Sequence, residues 1–205
     1  MMTFLRLAFL TSTFVAVFTA CSDDTVAPTP TPSDDVVTRS NLRPDSTIGW
    51  LYYDLDGDTI VPSPSVMSTD WDIRFAYLRT NGETRTIDIL LNSGNVGPGS
   101  ARGAVVSGRF EDVTEIPTSA LRSDDTAAAN RVMPNCVTCA NAIFVYNRNS
   151  HTIGPSPDKV VAVVTSTAGY IFQVTSIYEN APATPNLTTP LGFYHFRYRR
   201  ITVDQ

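Results

Sequence analysis

The sequence predicts an all-β domain of antiparallel sheets with long loops, carried behind an export signal and a flexible tether. Three observations carry this expectation. From Trp50 onward, short apolar runs are separated by Gly, Pro, Asn and Asp, the spacing of strands and turns. No long window holds a helical period. Before Trp50, an apolar start gives way to a Pro/Thr/Asp-rich stretch. The expected divisions are 1–20 for the signal, 21–45 for the tether and 46–205 for the β domain.

The N-terminal element begins with Arg6, an early positive charge, followed by an apolar run from Leu7 to Phe18 broken only by small hydroxyl residues. This is the layout of an export signal. A membrane-spanning helix needs roughly 20 apolar residues, so the run is too short to remain as an anchor. Phe18-Thr19-Ala20-Cys21 resembles the lipobox of bacterial lipoproteins, with Leu replaced by Phe18, and implies lipidation of Cys21. Ser22-Asp23-Asp24 and the alternation of Pro28, Pro30 and Pro32 with Thr follow. Such a stretch buries too little apolar surface to fold and extends as a tether. Acidic residues directly after the cysteine resemble the signals that send lipoproteins to the outer membrane or cell surface.

A net charge of −5 and the absence of a basic block argue against nucleic-acid binding, which needs clustered Lys and Arg to neutralise phosphates.

In the domain, Trp50 to Leu55 and Thr59 to Val61 flank Asp56-Gly57, a hairpin signal. Asp54, Asp56 and Asp58 also suggest a calcium loop, but Pro62-Ser63-Pro64 stands where a bidentate acid belongs. Trp71, Ile73 and Phe75 alternate with Asp72, Arg74 and Ala76, which predicts a strand with one apolar and one polar face. Asn81-Gly82 turns the chain into a strand from Thr86 to Leu91. Gly94 to Gly99 reads as a surface loop and lacks the Lys of a phosphate-binding loop.

Val160 to Val164 is a continuous apolar run, the mark of a strand covered on both faces. A turn at Ala168-Gly169 leads into Tyr170 to Tyr178. The last strand places Tyr194, Phe196 and Tyr198 on an inward face and His195, Arg197 and Arg199 towards solvent. Between Pro117 and Cys139 the pattern is irregular, with Asp124-Asp125 expected to be solvated. A long loop with little strand character in a compact domain is a place to look for function.

Several strings together resemble a family. Gly49-Trp50-Leu51-Tyr52-Tyr53-Asp54-Leu55, Thr69-Asp70-Trp71-Asp72-Ile73-Arg74-Phe75 and Arg79-Thr80-Asn81-Gly82 are similar, in this order, to the HmuY-like family of haem-binding bacterial lipoproteins. Gly97 to Ala104, Val145 to Pro155, the hairpin Lys159 to Tyr178 and the closing strand Phe193 to Tyr198 extend the resemblance over nearly all of the domain.

The resemblance implies a lipid-tethered β scaffold that captures haem, free or from haemoproteins, and passes it to an outer-membrane haem transporter. Two axial side chains, histidines in some members and methionines in others, would grip the iron. Asn147 stands nearest the end of the first ligand strand, where the family places a histidine.

Haem iron accepts imidazole, thioether or thiolate ligands. The candidates are Met67, Met133, Cys136, Cys139, His151 and His195. Met133, in the irregular loop, and His151, after the Asn147 turn, are the axial candidates; Met67 reads as packing or exposed. Cys136 and Cys139 form a C-x-x-C without the following His of a haem-attachment motif, since Ala140 stands there. A second Cys pair for zinc is missing, and a redox motif would need a helix start. A local disulfide is the expected pairing.

Two histidines do not assemble a Ser-His-Asp arrangement, and the adjacent acids lack an apolar pocket that would raise one pKa. The residues point to binding and not to catalysis. A second expectation keeps the scaffold without haem: a surface lipoprotein that binds a protein or glycan through its long loop and Gly-rich loop. A structural envelope lipoprotein with no small ligand is a third.

Overall fold

A computed structural model describes residues 35–62, 66–78 and 87–203. The export signal and Cys21 lie outside the described residues, as do the whole of the expected Arg79-to-Gly82 turn and the start of the strand that follows it. Among the described residues, eleven strands are β1 (Val37–Leu42), β2 (Trp50–Asp54), β3 (Thr59–Ile60), β4 (Ile73–Ala76), β5 (Ile89–Leu91), β6 (Arg102–Ser107), β7 (Phe144–Asn147), β8 (Thr152–Pro155), β9 (Lys159–Val164), β10 (Gly169–Tyr178) and β11 (Leu191–Ile201). All named strand pairs are antiparallel. The domain is all-β.

A five-stranded sheet of order β1-β11-β10-β9-β6 packs on a four-stranded sheet of order β3-β2-β4-β5, and β7-β8 form a separate hairpin. Between the sheets, Tyr53, Ile73, Phe75 and Leu91 meet Val161, Val163, Phe172, Phe196 and Tyr198 in one buried cluster. Aromatic contacts dominate its centre: Phe75 stacks on Phe196 at 5.2 Å and an interplanar angle of 7°. Such contacts add to the gain from area burial alone.

Both sheets are also covered on their outer faces, and this explains where the sequence pattern misleads. Phe110, Val113, Ile116 and Leu121 fold over the outer side of the large sheet against Val160, Ala162 and Ile171. The run Val160 to Val163 is therefore buried on both faces, as its lack of alternation predicts. On the small sheet, Trp71, Tyr52, Leu90 and Val96 form a third cluster.

Four corrections follow. Trp71 precedes β4 and joins the outer cluster, while Ile73 and Phe75 face the main core. All four residues of β4 are buried, so Arg74 has no solvent face. His195 is 4% exposed, its ring taken up between the backbones of Asn41 and Tyr178. Its Nε2 lies 2.9 Å from the Tyr178 carbonyl oxygen, and its Nδ1 accepts from Asn41 N. A carbonyl on one side and an N–H on the other fix the neutral Nε2–H tautomer.

The fourth correction concerns the tether. Val37–Leu42, expected to belong to it, pairs with β11 as an edge strand, and Val37 and Leu42 pack on the main core. Its pattern is half-buried and broken by polar residues, so composition alone reads it as linker. Arg39 donates from Nε to the Tyr53 hydroxyl at 2.9 Å and ion-pairs with Asp58. The folded chain thus begins before Trp50.

The β2–β3 hairpin forms with a four-residue loop, Asp54 pairing with Thr59. The left-handed residue of that loop is Asp58, at φ 52°, and not Gly57. Its acids serve the fold. Asp54 Oδ1 accepts from Gly57 N, and Asp56 Oδ1 accepts from the Tyr170 and Thr165 hydroxyls at 2.6 and 3.1 Å. Asp58 Oδ1 accepts from the Tyr53 and Tyr198 hydroxyls, each at 2.5 Å.

Candidate functional site

The irregular segment from Pro117 to Cys139 is held by a buried acid. Asp124 accepts backbone hydrogen bonds from Leu91 at 2.7 Å, and from Asp125 and Val132 at 2.9 Å each. The bond to Leu91 N occupies a donor on β5, the edge strand of the small sheet. Burial pushes the Asp124 carboxyl up, opposed by the donors of Leu91, Val132 and Asp125. The expectation that Asp124-Asp125 is solvated holds for Asp125, whose carboxylate is at the surface, and fails for Asp124.

Met133 follows directly and is 2% exposed, packed into the main core beside Val132. The expected axial thioether is therefore a core side chain. Reaching an iron would require opening the packing that Asp124 ties down. Cys136 and Cys139 are joined by a disulfide in the same loop, and Cys139 is exposed. Met67, by contrast, is 71% exposed beside the Gly-rich loop.

His151 is placed differently. The β7–β8 hairpin turns through Arg148 to His151, and Asn147 shapes that turn: its Oδ1 accepts from Asn149 N at 2.9 Å and Ser150 N at 3.3 Å. This side-chain mimicry of a backbone turn is what a short Asn supplies. Asn147 is thus a turn residue. His151 itself sits at φ 54°, in the left-handed region, which costs a non-glycine residue roughly 1–3 kcal/mol.

The imidazole faces Tyr146. Nδ1 of His151 lies 2.7 Å from the Tyr146 hydroxyl, and both side chains are at the surface. With Nδ1 engaged, Nε2 is the nitrogen left to meet a ligand. An imidazole oriented through one nitrogen and open at the other is the arrangement metal-binding histidines use.

His151 lines a cavity of about 330 Å³ together with Tyr178, Leu191 and the segment Asn186 to Pro190. Leu187, 75% exposed, stands at its edge. A second cavity, of about 390 Å³, lies along the same hairpin, lined by Val145, Ile153, Pro155, Ala181 and Pro185, with Tyr178 shared between the two. Tyr178 also fixes the hairpin, since its hydroxyl accepts from Ile153 N at 3.0 Å. Exposed Val145 and Tyr146 add apolar surface. Singly exposed apolar residues are ordinary, but their grouping beside a cavity marks a contact surface.

The haem expectation can be tested on these side chains. Among the described residues, His151 is the imidazole open to solvent; His195 is buried with both nitrogens engaged. The hairpin end fits one imidazole ligand against an apolar edge. It does not fit a pair of ligands that includes Met133.

Spacing of Asn147, Ser150 and His151 hinted at the turn, but the Tyr146–His151 pair escaped the sequence reading. The five-residue separation across a hairpin turn could have suggested it, because residues flanking a tight turn come face to face.

No family model matches the chain, and no curated protein matches it. Among solved structures, the chain is similar to the apo HmuY analog of Tannerella forsythia, with a TM-score of 0.47 and 13% sequence identity. That similarity covers 82% of this chain and 97% of the other.

Proposed function

We propose that the protein is an exported, lipid-anchored haem-binding protein of the cell envelope, tethered through Cys21, that takes its ligand at the β7–β8 hairpin. The observation that carries the reading is the Tyr146–His151 pair, an oriented, solvent-open imidazole lining a cavity that Leu187 and Leu191 also line. The ordered sequence resemblance to haem-binding lipoproteins supports it independently.

In this reading His151 Nε2 is the axial ligand, and Tyr146 holds the ring by accepting from Nδ1–H. Leu187, Val145 and Ile153 supply apolar contact for a porphyrin face. The chain offers one imidazole here, and His151 would hold the iron through Nε2. The scaffold binds its ligand and leaves it chemically unchanged.

Titration of the purified protein with haemin tests this. A saturable Soret shift is expected, lost in His151→Ala and weakened in Tyr146→Phe. An unchanged haemin spectrum in both redox states would remove the proposal.

A further inference from the structure

Arg74 is 7% exposed, at the centre of the small sheet's outer face. Its guanidinium lies 4.2 Å from the ring centre of Trp50 and 5.5 Å from that of Trp71. Aromatic rings answer the charge by cation–π attraction. They do nothing for its N–H donors, which lie in the plane.

One of those donors is without an acceptor. Nε is buried with no hydrogen-bond partner, and among the described residues no carboxylate forms an ion pair with Arg74. A buried charge without acceptors is expensive, and such groups are normally paired. The sheet nevertheless places an arginine where Tyr52 and Leu90, its neighbours in register, are apolar or aromatic.

The guanidinium is not sealed in. It lines a cavity of about 450 Å³ together with Val66, Met67, Val96, Pro98 and Thr126. The wall is built by the Gly-rich loop, which is fixed by Asn92. Its Nδ2 donates to Ser68 O at 2.9 Å and Trp71 O at 2.7 Å, and its Oδ1 accepts from Gly99 N at 2.9 Å. At Gly94, φ is +61°, and a methyl at Gly97 would strike Asn92 Oδ1 and the Trp71 ring. The cavity is therefore a shaped feature of a tightly packed loop.

We propose that this cavity binds a small amphipathic carboxylate. The carboxylate takes in-plane donors of Arg74, whose Nε has no partner within the fold, and the apolar portion lies against Val96, Pro98 and Met67. A guanidinium fork matches a carboxylate in two parallel hydrogen bonds. Mostly apolar walls favour a singly charged organic acid over inorganic phosphate, whose second charge would be desolvated without a partner. This site is separate from the His151 hairpin and does not depend on haem binding.

The chain contains two tryptophans, and both lie against Arg74. Intrinsic tryptophan emission of the haem-free protein therefore reads this site alone. Sodium octanoate is expected to give a saturable change in emission, while octanol and inorganic phosphate give none. Arg74→Met, which keeps the stem over the tryptophans, is expected to weaken octanoate by about tenfold or more with the fold retained. Met67→Glu, which brings a carboxylate to the cavity edge from within the chain, is expected to compete with octanoate and weaken it similarly.

Absence of a saturable change up to about 10 mM octanoate overturns the site. An equal response to octanol overturns the role of the charge, and so does unaltered octanoate binding in Arg74→Met. Should Arg74→Met fail to fold, unaltered binding in Met67→Glu overturns the proposal in its place.

Discussion

The Tyr198 hydroxyl donates to Asp58 Oδ1 at 2.5 Å, joining the last strand of the large sheet to the hairpin loop of the small one. The same oxygen accepts from Tyr53, and Arg39 pairs with the other carboxylate oxygen. Three acids at alternate positions look like a cation loop in the sequence. In the fold, Asp56 and Asp58 are acceptors for tyrosine hydroxyls, and they clasp two sheets together.

Asp58→Ala removes acceptors from two phenols and one guanidinium. It is expected to lower unfolding stability by about 2 kcal/mol or more, measured by urea denaturation. Burial, reinforced by the Asp58 bond, pushes Tyr53 up to about 12. A phenol whose folded pKa lies above its unfolded value gives stability that is complete below pH 10.0 and lost as pH rises through about 12. Tyrosinate absorbance is expected to appear later in the native protein than in urea. Coincident titration in both states would contradict the clasp.

Asp72 carries the opposite pH signature to a paired carboxylate. Burial raises it from 3.8 to about 7, with Asp56 and Asp54 adding repulsion against the backbone donor of Leu55. Its folded pKa exceeds the unfolded value, so its contribution is fully present below pH 3.8 and lost as pH rises through about 7. Asp72→Asn keeps an acceptor for Leu55 N without the charge. It is expected to raise Tm at pH 8 more than at pH 5; an equal shift at both would contradict the assignment.

The strand order was partly legible. Unbroken apolar character at Val160 to Val163 announced two covered faces, and the alternation of Tyr194, Phe196 and Tyr198 named an inward face correctly. Arg74, Asp124 and His195 are all more buried than the local pattern implies. Alternation tells which side chains share a face of a strand, but not whether a distant loop closes over that face. Gly94 to Pro98 does so for Arg74, whereas His195 is taken up between the backbones of Asn41 and Tyr178. Asp124 is buried because it serves backbone donors brought from Leu91 and Val132, a relation no local pattern reveals.

Gly97 illustrates the same closure from the loop's side. Gly97→Ala places a methyl against Asn92 and Trp71, and is expected to cost about 1–3 kcal/mol. Thermal denaturation checks it; an unchanged Tm would mean that the loop yields freely.

Met133 separates packing from ligation. As a core thioether, its truncation to Ala is expected to destabilise the fold by about 2–5 kcal/mol. Haemin affinity measured well below the variant's Tm is expected to stay within about twofold of the parent. A selective loss of affinity with stability intact would return the thioether to the iron.

The most direct test of the hairpin site compares haemin dissociation constants of the parent and His151→Ala, read from the Soret band at one pH and salt. Loss of one axial imidazole is expected to weaken binding by at least about tenfold, while added imidazole restores the parent spectrum in the variant. Equal affinity in parent and variant, with the same spectrum, would contradict ligation by His151.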